Sequence, residues 1–149
     1  MSNVVKFFRT HPDAVIPSKA HATDAGWDLV AIKQHKKIGG STFLYDTGIV
    51  IAPPPGFFVE IRARSSISKS GYIITNGVGT IDNGYRGNLY IALTKVDPAM
   101  PDLKPPFCLA QLVLVKMHGE VLEEVNDTDS LGNSSRGDGG FGSTGNRVD

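Results

Sequence analysis

Residues 76–87 run NGVGTIDNGYRG, and the fold turns on how this stretch is read. Four glycines punctuate it, and it lies between two apolar, β-prone runs, Tyr72 to Ile74 and Leu89 to Leu93. That pattern predicts two strands joined as a hairpin. Glycine admits positive φ and lets a ligand approach bare backbone. A loop this rich in it can therefore offer main-chain N–H and C=O groups to something flat and polar, with Asp82 and Tyr85 projecting toward the same guest. The alternative at this point is a plain tight turn whose Asp and Asn side chains satisfy their own backbone.

Working outward, Phe58 to Arg64 alternates with a period of two, Val59, Ile61 and Ala63 facing one way and Glu60, Arg62 and Arg64 the other. This half-buried strand runs directly into Ser65, Ser66, Ile67 and Ser68. A guanidinium, two hydroxyls and successive backbone N–H groups are thus delivered at a strand end, a set that suits phosphate oxygens. A single turn of helix capped by Ser65 or Ser66 accounts for the same residues, and the two readings are compatible. Phe107 to Lys116 is apolar at nearly every position and predicts a strand covered on both faces, interrupted by Gln111. A buried amide needs partners, either neighbouring backbone or a ligand. Asp28 lies within Asp24 to Leu29, where alternation turns it away from Trp27 and Leu29.

Further strands are expected at Val4 to Arg9, Thr42 to Tyr45 and Ile49 to Ala52, with prolines 53 to 55 breaking the chain after them. Lys33 to Gly40 is expected to be a solvated basic loop, Asp97 to Pro106 a proline-rich loop, and Glu120 to Val125 one last short element. From Asn126 the composition changes to Asp, Ser, Asn and Gly, so residues 1–125 form the β-domain and 126–149 a flexible arm. Within the arm, residues 136–145 run RGDGGFGSTG: one cation, one aromatic face and two hydroxyls among five glycines. Such a segment is equipped to close over a nucleotide, or serves as a linker.

Composition narrows the function classes. Lysine plus arginine number 15 and aspartate plus glutamate 15, so no global field recruits nucleic acid or an anionic membrane. The single cysteine, Cys108, leaves no intrachain disulfide and fits a reducing compartment. The four histidines lack zinc-site spacing. With no bilayer-spanning apolar run and no leader-like amino end, the chain is expected to be soluble and intracellular, cytoplasmic or nuclear.

Five blocks, in order, then carry a resemblance: DAGWDL (24–29), ARSSIS (63–68), NGVGTIDNGYRG (76–87), LAQL (109–112) and the terminal RGDGGFGSTG. From about Ala22 to Gly145 the chain resembles the trimeric dUTPase family. The resemblance implies an all-β jelly-roll-like barrel or sandwich with a glycine-rich C-terminal arm, assembled as a homotrimer with shared active sites. It implies hydrolysis of dUTP to dUMP and pyrophosphate by attack of water on the α-phosphorus with Mg²⁺ on the triphosphate, limiting uracil incorporation into DNA and supplying dUMP for dTMP synthesis.

By the same resemblance Asp82 orients and deprotonates the water. Arg64, Ser65, Ser66 and Gln111 contact phosphates, and Asn76 reads uracil with backbone near Gly79 and Thr80. Tyr85 packs under the deoxyribose and excludes a 2′-hydroxyl, and Tyr90 is a further nucleoside contact. Arg136 and Thr144 take the γ-phosphate, with Gly142 and Ser143 in the same closing block, and Phe141 stacks on the base. Asp28 acts on the metal through water. Some positions depart from the family pattern: Asn83-Gly84 where a second acid is common, Pro106-Phe107-Cys108 where Gly, an acid and Arg are common, Ser66 for glycine, and Trp27 for tyrosine or leucine. The related dCTP deaminases share the RSS sequence but need a glutamate where Ala92 stands. A non-catalytic nucleotide-binding trimer is the remaining alternative.

Overall fold

The computed structural model describes residues 4–145. Contacts divide the chain into two units, Met1–His118 and Gly119–Asp149, a boundary ahead of the compositional change at Asn126. The first unit holds the strands β1 (Lys6–Arg9), β2 (Gly26–Ala31), β3 (Lys33–Lys37), β4 (Thr42–Asp46), β5 (Ile49–Ala52), β6 (Phe57–Ala63), β7 (Tyr72–Ile74), β8 (Gly79–Ile81), β9 (Tyr90–Lys95) and β10 (Phe107–Lys116). They pair antiparallel into a β1-β5 ribbon and two four-stranded sheets, ordered β2-β10-β6-β8 and β3-β4-β9-β7. This is an all-β, jelly-roll-like architecture. Among the described residues no helix is long and apolar enough to cross a membrane.

The alternation read in the sequence is what fills the core. Leu29, Val59, Ile61, Ala110 and Leu112 from one large sheet join Tyr45, Tyr72, Ile74, Ile91 and Leu93 from the other in a single buried cluster. Tyr45 and Phe107 meet edge to face across it, their centroids 5.0 Å apart. On β6 the polar positions face out, and Glu60 accepts from Arg62 Nε at 2.6 Å. Ala63 departs from the expected inward set and is exposed, because β6 ends there. β10 is central, but within this chain only Ala110 and Leu112 are fully buried; the opposite face is half-buried.

Three expectations are corrected. Lys33 to Lys37 is an edge strand, not a loop: all five residues are exposed, and a strand solvated on both faces carries no apolar period to reveal it. Glu120 to Val125 forms no element, and Val121 and Leu122 stand exposed without a paired strand. The central stretch is more than a hairpin. β7 and β9 do pair, Ile74 opposite Leu93, but between them β8 crosses to the other sheet and pairs with β6, Gly79 opposite Ile61 and Ile81 opposite Val59. Glycine permits that crossing: a Cβ at Gly79 would lie 3.3 Å from the Ile61 Cβ, tighter than ordinary contact.

Where the chain re-enters the second sheet it is pinned by Thr47, which is fully buried. Its hydroxyl donates to the Leu89 carbonyl at 2.8 Å and accepts from the Ile49 N–H at 3.2 Å. Replacing Thr47 by Val removes both bonds at nearly constant volume. Stability is expected to fall by about 1–3 kcal/mol, read as a lower urea midpoint with an unchanged slope.

Candidate active site

The first cluster forms where β6 ends. Arg64 is extended (φ −81°, ψ 155°) and leads into a short 3-10 segment, Ser65–Lys69. Its guanidinium is held twice: Nε lies 2.9 Å from Asp28 Oδ1, and Nη1 donates to the Cys108 carbonyl at 2.8 Å. The strand register explains the convergence, since Gln111 stands opposite Asp28 on one side and Arg62 on the other. Gln111 Nε2 donates to the Ala63 carbonyl at 3.0 Å, the backbone partner foreseen for it. Gly26 makes room, because a Cβ there would fall 2.5 Å from Gln111 Oε1. Neither Ser65 nor Ser66 caps the 3-10 segment, contrary to expectation; Arg64 occupies the cap position without a side-chain bond. Both serines are exposed beside the arginine.

The second cluster rides on β8 and the loop after it. Asn76 is exposed at the start of the stretch, its carbonyl accepting from Val78 N–H at 2.8 Å. Asp82 is exposed and lines a concavity with Thr80, Phe58 and Val115. Its carboxylate makes no hydrogen bond or ion pair with the described residues, which leaves it open to solvent. Asn83, which had no role in the sequence reading, fastens this loop. Its Nδ2 donates to the Pro54 and Phe57 carbonyls at 3.0 and 2.8 Å. Asn83, next to the Gly84 position where the family commonly carries its second acid, thus ties the loop to the proline turn, a long-range contact no local signal announces. Tyr85 N–H donates to the Asp82 carbonyl at 3.0 Å, folding the tyrosine back over its own turn. Tyr90 belongs to the second sheet and stacks on His35 with centroids 4.7 Å apart. Burial raises its phenol pKa, with Asp46 and Tyr85 adding to the effect.

These two clusters do not meet within one chain. Ile81 pairs with Val59, so Asp82 follows at the Phe58 end of β6, whereas Arg64 leaves the other end. Six residues at roughly 3.3 Å each separate the two ends by about 20 Å.

In the second unit, Arg136, Ser143 and Thr144 line one shallow cup. Successive turns build it: Gly139 N–H donates to the Arg136 carbonyl at 3.2 Å and Arg136 Nε returns to the Gly139 carbonyl at 2.7 Å. Gly142 at φ 89° follows Phe141 at φ 50°, and the phenyl ring is fully exposed.

A family model described as dUTPase matches residues 13–145. A deoxyuridine 5'-triphosphate nucleotidohydrolase of Rhodococcus erythropolis is 42% identical over 139 residues, 92% of this chain and 83% of that protein. One from Mycobacterium bovis is 38% identical over 149 residues, 97% of each. This chain belongs to the dUTPase family. The dUTPase of Staphylococcus bacteriophage 80alpha, solved with dUPNHPP, superposes with a TM-score of 0.73 at 25% identity, over 97% of this chain and 99% of that one. A point variant of the dUTPase from phage phi11 of S. aureus, described with a structural Mg(II) ion, gives 0.72 at 23% identity, over 85% and 99%.

Against the dUTPase pattern, Phe107 and Cys108 replace an acid and an arginine. Phe107 serves the core, and Cys108 holds Arg64 through its carbonyl, a bond any residue there can make. Among the described residues no three His, Cys, Asp or Glu side chains converge as a metal site. Asp28 spends Oδ1 on Arg64, leaving a single free carboxylate oxygen. A lone carboxylate oxygen is no protein metal cage, and it would hold a magnesium ion only through water.

Burial raises the pKa of the Cys108 thiol, with Arg64 opposing and Asp28 adding to the shift. A raised value keeps it un-ionised at neutral pH, and the thiolate is the reactive form. Iodoacetamide is therefore expected to modify Cys108 more slowly in the folded protein than in urea, with the rate climbing only above the ordinary thiol range. Equal rates at pH 7 would contradict this.

Proposed function

We propose that the chain hydrolyses dUTP to dUMP and pyrophosphate in a homotrimer, each site combining Asp82 of one subunit with the Arg64 cluster of a neighbour. The observation that carries the reading is the separation of about 20 Å along β6. A base must lie within hydrogen-bond reach of the water it activates, and that water must lie beside the α-phosphorus. One chain cannot supply both ends, whereas symmetric association brings unlike ends together.

In this reading Asp82 orients the water and takes its proton; its unengaged carboxylate supports the role. Arg64, already oriented by Asp28 and the Cys108 carbonyl, presents its remaining N–H groups to the phosphates together with Ser65, Ser66 and Gln111. A donor fixed before the substrate arrives costs no reorganisation as charge develops. Asn76, Gly79 and Thr80 read the uracil edge, Tyr85 floors the deoxyribose, and Tyr90 bounds the nucleoside side. A polar base edge left unpaired against the wrong nucleotide supplies the discrimination. The arm, residues 126–149, closes over the site, Arg136, Ser143 and Thr144 taking the γ-phosphate, Gly142 shaping the turn and Phe141 stacking on the base. Magnesium neutralises charge on the triphosphate when bound, and Asp28 would hold it through water. The product supplies dUMP for dTMP synthesis while removing dUTP before uracil enters DNA. The single free thiol supports an intracellular setting, cytoplasmic or nuclear.

The test is pyrophosphate release from dUTP, dCTP, dTTP and UTP, with and without Mg²⁺; only dUTP with Mg²⁺ is expected to turn over rapidly. Asp82→Asn is expected to lose at least a thousandfold in kcat while still binding dUTP by calorimetry; a fully active variant would remove the proposed base. A chain ending at Ser135 is expected to sediment as a trimer and to lose most of its kcat. Normal rates from it would remove the closing arm.

A further inference from the structure

We propose that Asp46, a buried carboxylate on β4, is a positioning residue that sets sugar discrimination by holding Tyr85 in place through Asn88. The proposal rests on Tyr85 flooring the deoxyribose, and on two contacts that hold a ring otherwise 40% exposed. The Tyr85 hydroxyl donates to the Asn88 carbonyl at 2.8 Å. Its ring lies against Gly87, where a Cβ would fall 2.7 Å from Cζ and closer still to the hydroxyl oxygen. The ring therefore goes where residues 87 and 88 go.

Asn88 is itself clamped. Its Nδ2 donates to both Asp46 carboxylate oxygens, at 3.0 and 3.2 Å, and its Oδ1 accepts from the Thr10 hydroxyl at 3.1 Å. Asp46 is only 5% exposed. Its Oδ1 also accepts from the Gly48 N–H at 2.8 Å, and Lys33 Nζ lies 4.0 Å from Oδ2. A carboxyl group is the small side chain whose two oxygens can both accept from one amide while one of them also accepts from a backbone N–H. Burying so polar a group adds little to stability by itself. It is justified where orientation matters, and excluding a single oxygen demands a wall that does not rock. Asp46 makes no direct bond to Tyr85; it acts on the ring through Asn88.

The test measures kcat/KM for dUTP and for UTP in the full-length protein carrying Asp46→Asn, Asn88→Ala, the double swap Asp46→Asn with Asn88→Asp, and Tyr85→Ala. Each of the first two is expected to lower the dUTP-to-UTP ratio at least tenfold. The swap, which again sets an amide donor against a carboxylate, is expected to recover most of it. Tyr85→Ala separates the two readings: if it leaves the ratio unchanged, the sugar-floor role of Tyr85 fails on its own account. If Tyr85→Ala collapses the ratio while Asn88→Ala keeps it, or while a folded swap variant fails to restore it, the positioning role of Asp46 is overturned. A uniform loss on both substrates at constant ratio in Asn88→Ala also overturns it. Circular dichroism checks folding, and Asn88→Ala decides the matter if Asp46→Asn does not fold.

Discussion

The three-residue ladder between β8 and β6 is the constraint on which the molecule depends. It carries residues 76–88 out of one sheet and back, so the two large sheets are stitched by the same segment that presents Asn76, Asp82 and Tyr85. Gly79 permits the close approach to Ile61, Asn83 fastens the far side to the proline turn, and Thr47 receives the chain as it returns. A loop supported at so many points by buried backbone partners can hold polar groups in fixed directions, which is what selecting one base requires.

The Arg64 cluster depends on neighbouring strands rather than on a loop. β2, β10 and β6 bring Asp28, Gln111 and the Arg64 region into adjacent register, and each engages a group from another strand. Charge is matched locally, Arg64 being paired with Asp28 and Arg62 with Glu60 at this strand end. The distance from that cluster to Asp82, about 20 Å, is a property of β6 itself. In the proposed function this spacing makes the assembly the active unit, and β6 is as much a spacer as a core strand.

Much of the fold was legible because its strands are half-buried. β6, β4, β5 and β9 announce themselves by period-two alternation or compact apolar runs. β3 was missed because an edge strand of lysine, glutamine and histidine has no buried face to imprint a pattern. The β8 crossing was hidden for a different reason: three residues in a glycine-rich run look like turn until the partner strand is known. The positions of Asp28, Arg64 and Gln111 could be named from motifs, but their mutual contacts are pairings between strands far apart in the chain. Asn83 and Asn88 carry no local signature, since their side chains work through partners many residues away, and only the Gly48 bond of Asp46 is local.

The sequence alone determined the class of the fold, the family, and the residue types available for binding a nucleotide, because periodicity and motif order are written along the chain. Tertiary structure decided which of those residues share a space. Contact between Asp28 and Arg64, the tether on Asn83 and the clamp on Asn88 follow from strand register and sheet crossing, and those are settled by packing the whole core at once rather than by any local run of residues.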